Sequence, residues 1–212
     1  MNIFVISLGG ERLKRINYDY TLIEGDTDKN INPMIKEKMI RKHNESEKHF
    51  INKCGCFSSH YKTFKFIVEN KLNNIIICED DAVLDSPIPL EDIKFPNEAV
   101  LLGAILDNPT NYREPFDDKN VIKDFSVGLN KIDKTKYRWS STYAIYYPTW
   151  ELVQTIIDEI ENSTTKLNHT DLWLCKTGLI KFLHYPSVFT HNDGGNSCFG
   201  VKRKIYKNYL RI

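Results

Sequence analysis

No stretch of this 212-residue chain approaches the roughly 20 consecutive apolar residues that cross a bilayer, so no membrane-spanning helix is expected. The opening MNIFVISLGG is too short an apolar run for a secretory leader and lacks a basic flank. An excess of one charge is missing as well. Twenty-nine Lys and Arg face 28 Asp and Glu, a formal net charge of +1, which removes any global electrostatic case for nucleic acid. Cysteines are few and odd in number: Cys54, Cys56, Cys78, Cys175 and Cys198. Cys54-x-Cys56 has no second pair at zinc spacing, so these read as reduced thiols, and a cytoplasmic protein is expected. The sequons at Asn44, Asn162 and Asn168 then read as chance matches in an Asn-rich chain. Neither GxGxxG nor a Walker lysine occurs. No internal repeat or linker composition appears. With 41% hydrophobic residues, one domain over 1–212 with its own core is the simplest reading.

What the chain does contain is a pattern centred on residues 54–85, CGCFSSHYKTFKFIVENKLNNIIICEDDAVLD. Phe57, Tyr61, Phe64, Ile67 and Val68 recur at helical spacing and predict one apolar stripe. Lys71 to Asn74 breaks the pattern. Ile75-Ile76-Ile77-Cys78 is then a continuous apolar, β-branched run, as expected of a central strand covered on both faces. Glu79, Asp80 and Asp81 follow at once. Three adjacent carboxylates at a buried strand's end repel one another and lose hydration, so a cation should compensate them. Open α/β sheets bind ligands beyond the carboxyl ends of their strands, where this cluster would sit. The plainer alternative is an acidic turn leaving a sheet.

Around this centre, residues 2–8 read as a first strand ended by Gly9-Gly10. Arg12 and Arg15 lie three apart and can share a face, either gripping a ribose or phosphate or standing as solvated charges. Residues 20–24 are a second strand candidate. Residues 27–50 are polar and weakly helical around 34–41, and predict a mobile excursion or lid. Residues 85–89, with two prolines, cannot continue a ladder. Further strands are expected at 99–106, 121–127 and 137–147, with a polar loop over 107–119 suited to an acceptor. Pro148 opens a helix to about residue 160, and a shorter helix starts near Thr170. Strands around Pro186 and a polar loop over 191–196 precede the terminal VKRKIYKNYLRI. That basic amphipathic end packs on the domain or makes peripheral contact with an acidic membrane.

Gly55-Cys56, Ser59-His60, and the helix and strand closing on Glu79-Asp80-Asp81 together resemble glycosyltransferase family 25. That family includes lipooligosaccharide galactosyltransferases and collagen-type glycosyltransferases. Val5-Ile6-Ser7-Leu8 with Arg12 and Arg15 resembles its first strand and arginine-containing loop. Thr142 to Tyr146, Asp171, and Tyr185-Pro186-Ser187 follow in the family's order, so the resemblance spans most of the chain. It implies a GT-A-like α/β fold: a mainly parallel, Rossmann-like central sheet with helices on both faces. The activity implied is metal-dependent transfer of a hexose, galactose or glucose, from a UDP-sugar donor to a glycan or glycoprotein hydroxyl, with inversion.

By this resemblance Ser7, Leu8, Arg12 and Arg15 would hold the nucleotide, and Ser141 and Thr142 belong to a small-residue loop near the donor sugar. Glu79-x-Asp81 stands where GT-A enzymes carry Asp-x-Asp. Asp81 would then bind Mn²⁺ or Mg²⁺, and Glu79 the ribose or a metal-bound water. Oxygen ligands suit such ions. Asp80, as the intervening residue of an extended chain, is expected to turn back to the scaffold. His191 is the second metal ligand by analogy with a C-terminal histidine of the class, or else a surface histidine. Asp171 is either the general base or a helix cap. Trp139 and Tyr143 either stack on a sugar ring or fill the core. His60 and His184 are weaker candidates, with His60 as easily bracing the sheet. The rival readings are a catalytically degenerate sugar- or protein-binding module and a metal-dependent phosphohydrolase. The phosphohydrolase lacks a second metal motif.

Overall fold

A computed structural model describes residues 1–86, 88–107 and 125–191, with the side chains of 105–107 and 191 outside that description. The expected acceptor loop (108–119), most of the 121–127 strand, the polar loop after His191 and the basic C-terminus therefore lie outside the described residues.

Nine strands are described: β1 (Asn2–Ser7), β2 (Thr21–Glu24), β3 (Ile75–Glu79), β4 (Ala82–Leu84), β5 (Ala99–Asp107), β6 (Gly128–Lys131), β7 (Arg138–Tyr147), β8 (Ile180–Tyr185) and β9 (Phe189–His191). Seven of them form one sheet in the order β2-β1-β3-β7-β5-β8-β6, and β4 pairs with β9 in a second, small sheet. β1 is parallel to both β2 and β3, β7 is antiparallel to β3 and β5, β8 is parallel to β5, and β6 is antiparallel to β8. Five strands thus run one way, with β7 and the edge strand β6 reversed. The arrangement is compatible with a single Rossmann-like domain.

Four α-helices are described: α1 (Pro33–Lys38), α2 (Glu47–Glu69), α3 (Trp150–Asn162) and α4 (Thr170–Thr177). In β3 the residues alternate between two cores. Ile75 and Ile77 face the layer built from Ile35, Phe57, Phe64, Val153, Ile157 and Trp173, which come from all four helices. Ile76 and Cys78 face the other layer. This differs from the expectation of helices on both faces. Among the described residues every α-helix lies on one face. The far face is covered by two single-turn 3₁₀ segments, Leu13–Arg15 and Leu90–Asp92, together with the β4–β9 pair. The connection over 85–98 carries Pro87, Pro89 and Pro96, which disfavour a longer helix there.

Local chemistry accounts for the helices. The Ser46 hydroxyl caps α2 by accepting from the His49 N–H, and Glu47 lies in its first turn. In α3, Thr149 is the cap, and Val153, Ile156, Ile157 and Ile160 are buried at helical spacing. Each such aliphatic side chain contributes roughly 1.5–3 kcal/mol. The 27–50 segment is not the mobile excursion its polarity predicts. Asn32 caps α1, Ile35 and Met39 are buried, and Met39 bridges to Leu167. Ile35, Met39 and Phe50 are buried and pin the segment although most of its other residues are polar.

Candidate active site

β1 and β3 lie side by side and end together, so the turn Gly9-Gly10 and the carboxylates after Cys78 meet at one edge. Both glycines have positive φ, +86° and +90°, which their lack of a Cβ permits. Beneath them opens a cleft of about 740 Å³. Ser7, Leu8, Gly9 and Arg12 line one side, Asp26 to Asp28 another, and α2, with Lys48, Cys56, Ser59 and His60 among its residues, completes the wall beside Glu79 and Asp80.

Asp80 is the knot of this edge. Its Oδ2 accepts from the Ser7 hydroxyl at 2.7 Å, and its Oδ1 accepts from the Arg12 guanidinium at 2.8 Å. The Ser7 Oγ in turn accepts from the Gly9 N–H at 2.9 Å. The first strand, the glycine turn and the arginine are therefore tied to the acidic turn through one carboxylate. Asp26 forms a second knot. Its carboxylate accepts from Ser58, Asn30 and Lys62, while its N–H donates to Ser59 Oγ at 2.7 Å. Helix α2 reaches this wall at Gly55, where a Cβ would stand 2.6 Å from the Asp26 carbonyl oxygen. Only a glycine lets the helix approach so closely.

Glu79 sits deep in the concave wall, yet its side chain remains 38% exposed to the cleft. Desolvation pushes its carboxyl up. The neighbouring Asp81 and Asp171 charges add to that rise, and His60 opposes it. The His60 Nε2 lies 3.6 Å from Glu79 Oε1. Asp81 occupies the turn between β3 and β4, beside Tyr18, whose hydroxyl donates to the Ala82 carbonyl at 3.2 Å. Burial above all raises the Tyr18 phenol, and Cys78 and Asp81 add to the effect. His191 ends β9 directly opposite Ala82, so its backbone is adjacent to Asp81, while its side chain lies outside the described residues.

Asp171 lies in the first turn of α4. One carboxylate oxygen accepts from the Ser141 N–H at 2.6 Å and the other from the Leu172 N–H at 2.7 Å. Ser141 has φ +49°, a left-handed conformation within a strand. β7 runs antiparallel to β3 with Ala144 opposite Cys78, so Ser141 and Thr142 lie alongside the acidic turn. Thr142 is buried, and its hydroxyl has no hydrogen-bond partner among the described residues.

The structure thus gathers Ser7, Leu8, Arg12, Glu79 and Asp80 around one cleft and sets Asp81, Ser141, Thr142 and Asp171 next to it. Arg15 is exposed in the 3₁₀ turn and is not among the residues that line the cleft. Trp139 and Tyr143 are each 2% exposed and lie in the two cores, so neither offers a ring face to a sugar. His184 is buried, with Nδ1 2.9 Å from the Pro186 carbonyl oxygen. Sequence reasoning missed Asp26, Cys56 and the cleft-facing role of His60. The i, i+4 spacing of Cys56 and His60 was a usable signal for the last two.

The profile of glycosyltransferase family 25, described as an LPS biosynthesis protein, matches residues 1–147. The chain belongs to glycosyltransferase family 25. The matched span runs from β1 through β7 and contains every residue that lines the cleft. Asp171 and His191 fall beyond it. No curated protein matches the chain. Membership of family 25 supports a glycosyl-transfer role and implies a sugar donor and a glycan acceptor. No helix among the described residues is long and apolar enough to cross a membrane.

Proposed function

We propose that this family 25 protein is a metal-dependent, inverting hexosyltransferase of the GT-A class. It moves galactose or glucose from a UDP-sugar to a hydroxyl of a glycan or glycoprotein, and the family's LPS description favours a glycan. The observation that carries the reading is the cleft at the joined ends of β1 and β3, with Arg12 oriented by Asp80 and flanked by Glu79. A guanidinium presents several donors in a fixed fork, which suits phosphate or ribose oxygens.

The residues fit a hard divalent ion in their donor chemistry. Asp81 and Glu79 offer carboxylate oxygens at one turn, and β9 brings the His191 backbone beside Asp81. Bound there, Mn²⁺ or Mg²⁺ would supply positive charge against the departing diphosphate. The protein's own groups do the rest. Ser7 and the Gly9-Gly10 turn bring backbone close to the nucleotide, Arg12 orients it, and the Asp26 wall narrows the cleft. Asp171 takes the acceptor's proton. Each of its oxygens already accepts one N–H, and a carboxylate oxygen has a further lone pair for the incoming hydroxyl. As the O–H bond breaks, the oxygen attacks the anomeric carbon from the face opposite the diphosphate. The bond from that carbon to the phosphate oxygen breaks, and UDP departs with the electron pair.

The test combines calorimetry with product analysis. UDP affinity should fall sharply on adding EDTA or in Asp81→Asn. UDP-galactose or UDP-glucose with a saccharide acceptor should release UDP and give a β-linked product by NMR. Asp171→Asn should bind donor normally and turn over roughly 10²–10⁴-fold more slowly, the usual contribution of a positioned base. Equal UDP binding in all conditions removes the metal. An α-linked product or a fully active Asp171→Asn variant removes the inverting mechanism. Binding without UDP release leaves a sugar-binding module.

A further inference from the structure

The cleft wall holds a second cluster, of which the transfer reading uses only Glu79. Cys56 and His60 are one turn apart on α2 and face the same way, toward Glu79 at the end of β3. A ligand atom from each of the three lies within 4.8 Å of the other two. We propose that Cys56, His60 and Glu79 form a Zn²⁺ site in this wall, distinct from the carboxylate turn at Asp81.

Three observations lead there. First, the His60 imidazole is only partly satisfied, with a long ion-pair contact to Glu79 at one nitrogen and, among the described residues, nothing at the other. The residue is only 6% exposed, Nδ1 has no hydrogen-bond partner among the described residues, and Nε2 stands 3.6 Å from Glu79, beyond hydrogen-bond length. Buried polar groups are normally satisfied, so a buried imidazole that meets its carboxylate only at 3.6 Å leaves room for a ligand between them. Second, the charges of the cleft leave a place for a cation. Asp80 is paired with Arg12, Asp26 with Lys62, and Glu47 with Arg41, while Asp28 and Lys48 also line the cleft. Among the described residues Glu79 is paired with no Lys or Arg.

Third, the donor set selects the ion. Thiolate, imidazole and carboxylate together suit Zn²⁺, and three protein ligands with the fourth position open are the pattern of zinc sites that engage substrate or water. With Zn–S near 2.3 Å and Zn–N or Zn–O near 2.0–2.2 Å, tetrahedral ligand atoms sit about 3.3–3.6 Å apart. The ligand atoms lie within 4.8 Å of one another, so the cluster must contract to that spacing on binding. All three residues line the cleft, so its solvent or an oxygen of an anionic ligand supplies the fourth donor. A monodentate Glu79 keeps its second oxygen for a nucleotide. The inference rests on these side chains and does not depend on the transfer reading.

The experiment is a Zn²⁺ titration of the full chain, stripped by chelator, in competition with a chromophoric chelator, and with Co²⁺ as the spectroscopic probe. The wild type should bind one Zn²⁺, and its Co²⁺ form should show a thiolate-to-metal charge-transfer band. Cys56→Ala should abolish that band. Cys56→Ala and His60→Ala should each weaken Zn²⁺ by at least about 100-fold, beyond the roughly 10–100-fold cost of losing a supporting shell. Cys175→Ser, which removes another half-buried thiol, should leave Zn²⁺ affinity unchanged. Circular dichroism establishes that each variant is folded. Cys56 is only partly buried, so its variant decides the matter if His60→Ala does not fold. No stoichiometric Zn²⁺ in the wild type, an unchanged affinity in Cys56→Ala, or a Co²⁺ spectrum without the thiolate band overturns the site. Metal-dependent UDP binding that survives in a wild type without Zn²⁺ affinity would sink this inference and leave the transfer reading standing.

Discussion

Replacing Asp80 by alanine should unfasten the whole upper edge of the cleft. The substitution removes the carboxylate from the Arg12 guanidinium and leaves the Ser7 hydroxyl without this acceptor. Arg12 and Asp80 have side-chain exposures of 26% and 13%, so the pair lies between a surface ion pair and a buried one. Exposed pairs are worth about 0–1 kcal/mol, and breaking a buried one costs about 3–5 kcal/mol. A hydrogen bond to a charged group contributes about 1.5–3 kcal/mol. Together these place the loss at about 2–4 kcal/mol. In a chain of this size each kcal/mol moves Tm by roughly 2–4 °C, so the expected drop is on the order of 10 °C. Scanning calorimetry on Asp80→Ala, Arg12→Ala and the double variant measures it. The cycle should return a coupling of about 1–3 kcal/mol, as residues in direct contact do. Asp80→Asn should fall in between, since its amide oxygen can still accept from Ser7 but carries no charge for Arg12. A melting temperature within about 1 °C of wild type for Asp80→Ala, or a coupling near zero by the same cycle, would refute the knot.

Two further outcomes follow from buried contacts on α2. Burial alone would raise the Glu45 carboxyl, but hydrogen bonds from Lys53, the Lys42 N–H and His49 outweigh it and hold the group at about 2 against an ordinary 4.5. The folded value is depressed, so the stabilisation is complete above 4.5 and fades as pH falls toward 2. Urea midpoints over that window should drop in the wild type, and Lys53→Met should flatten or reverse the slope; an unchanged slope would disprove the coupling. Gly55→Ala should destabilise, although alanine favours a helix interior by about 1 kcal/mol, because its Cβ would press on the Asp26 carbonyl at 2.6 Å. A raised Tm in Gly55→Ala would show that the helix can retreat freely from the cleft wall.

The elements most legible in the sequence were those whose pattern is set by burial on known faces. The Ile75 to Cys78 run is β3, and its carboxylates do stand at the edge where β1 ends. The strand over 138–147 and the helix after Pro148 were readable for the same reason. The 27–50 segment was not, because only Ile35, Met39 and Phe50 anchor it, and three buried side chains among many polar ones give no periodic signal. Arg12 and Arg15 looked alike in sequence. Asp80, 68 residues away from Arg12 along the chain, holds it in the cleft, whereas Arg15 turns to solvent. Trp139 and Tyr143 were ambiguous between sugar platform and core, and their burial assigns them to the core. The helical stripe of α2 was visible, but its opposite face was not. Ser58, Ser59, His60 and Thr63 look like a solvated face and are buried, because the helix is wedged between the sheet and the Asp26 wall.

The geometry at Asp171 narrows the choice between a base and a cap. A non-glycine residue at positive φ costs about 1–2 kcal/mol and persists only where its surroundings hold it. Ser141 is such a residue, placed where β7 passes the acidic turn, and its N–H points to Asp171. The carboxylate also accepts from Leu172 in the first turn of α4. It therefore joins the helix to the bent strand and keeps the bend beside Glu79 and Asp81. A proton acceptor at this place cannot be separated from the scaffold around it, since both of its oxygens are already oriented by backbone donors. The two roles divide by substitution. Asparagine keeps one oxygen for the Ser141 N–H and loses the negative charge, whereas alanine loses both, so a base shows its full kinetic loss in asparagine while a brace shows its loss chiefly in alanine.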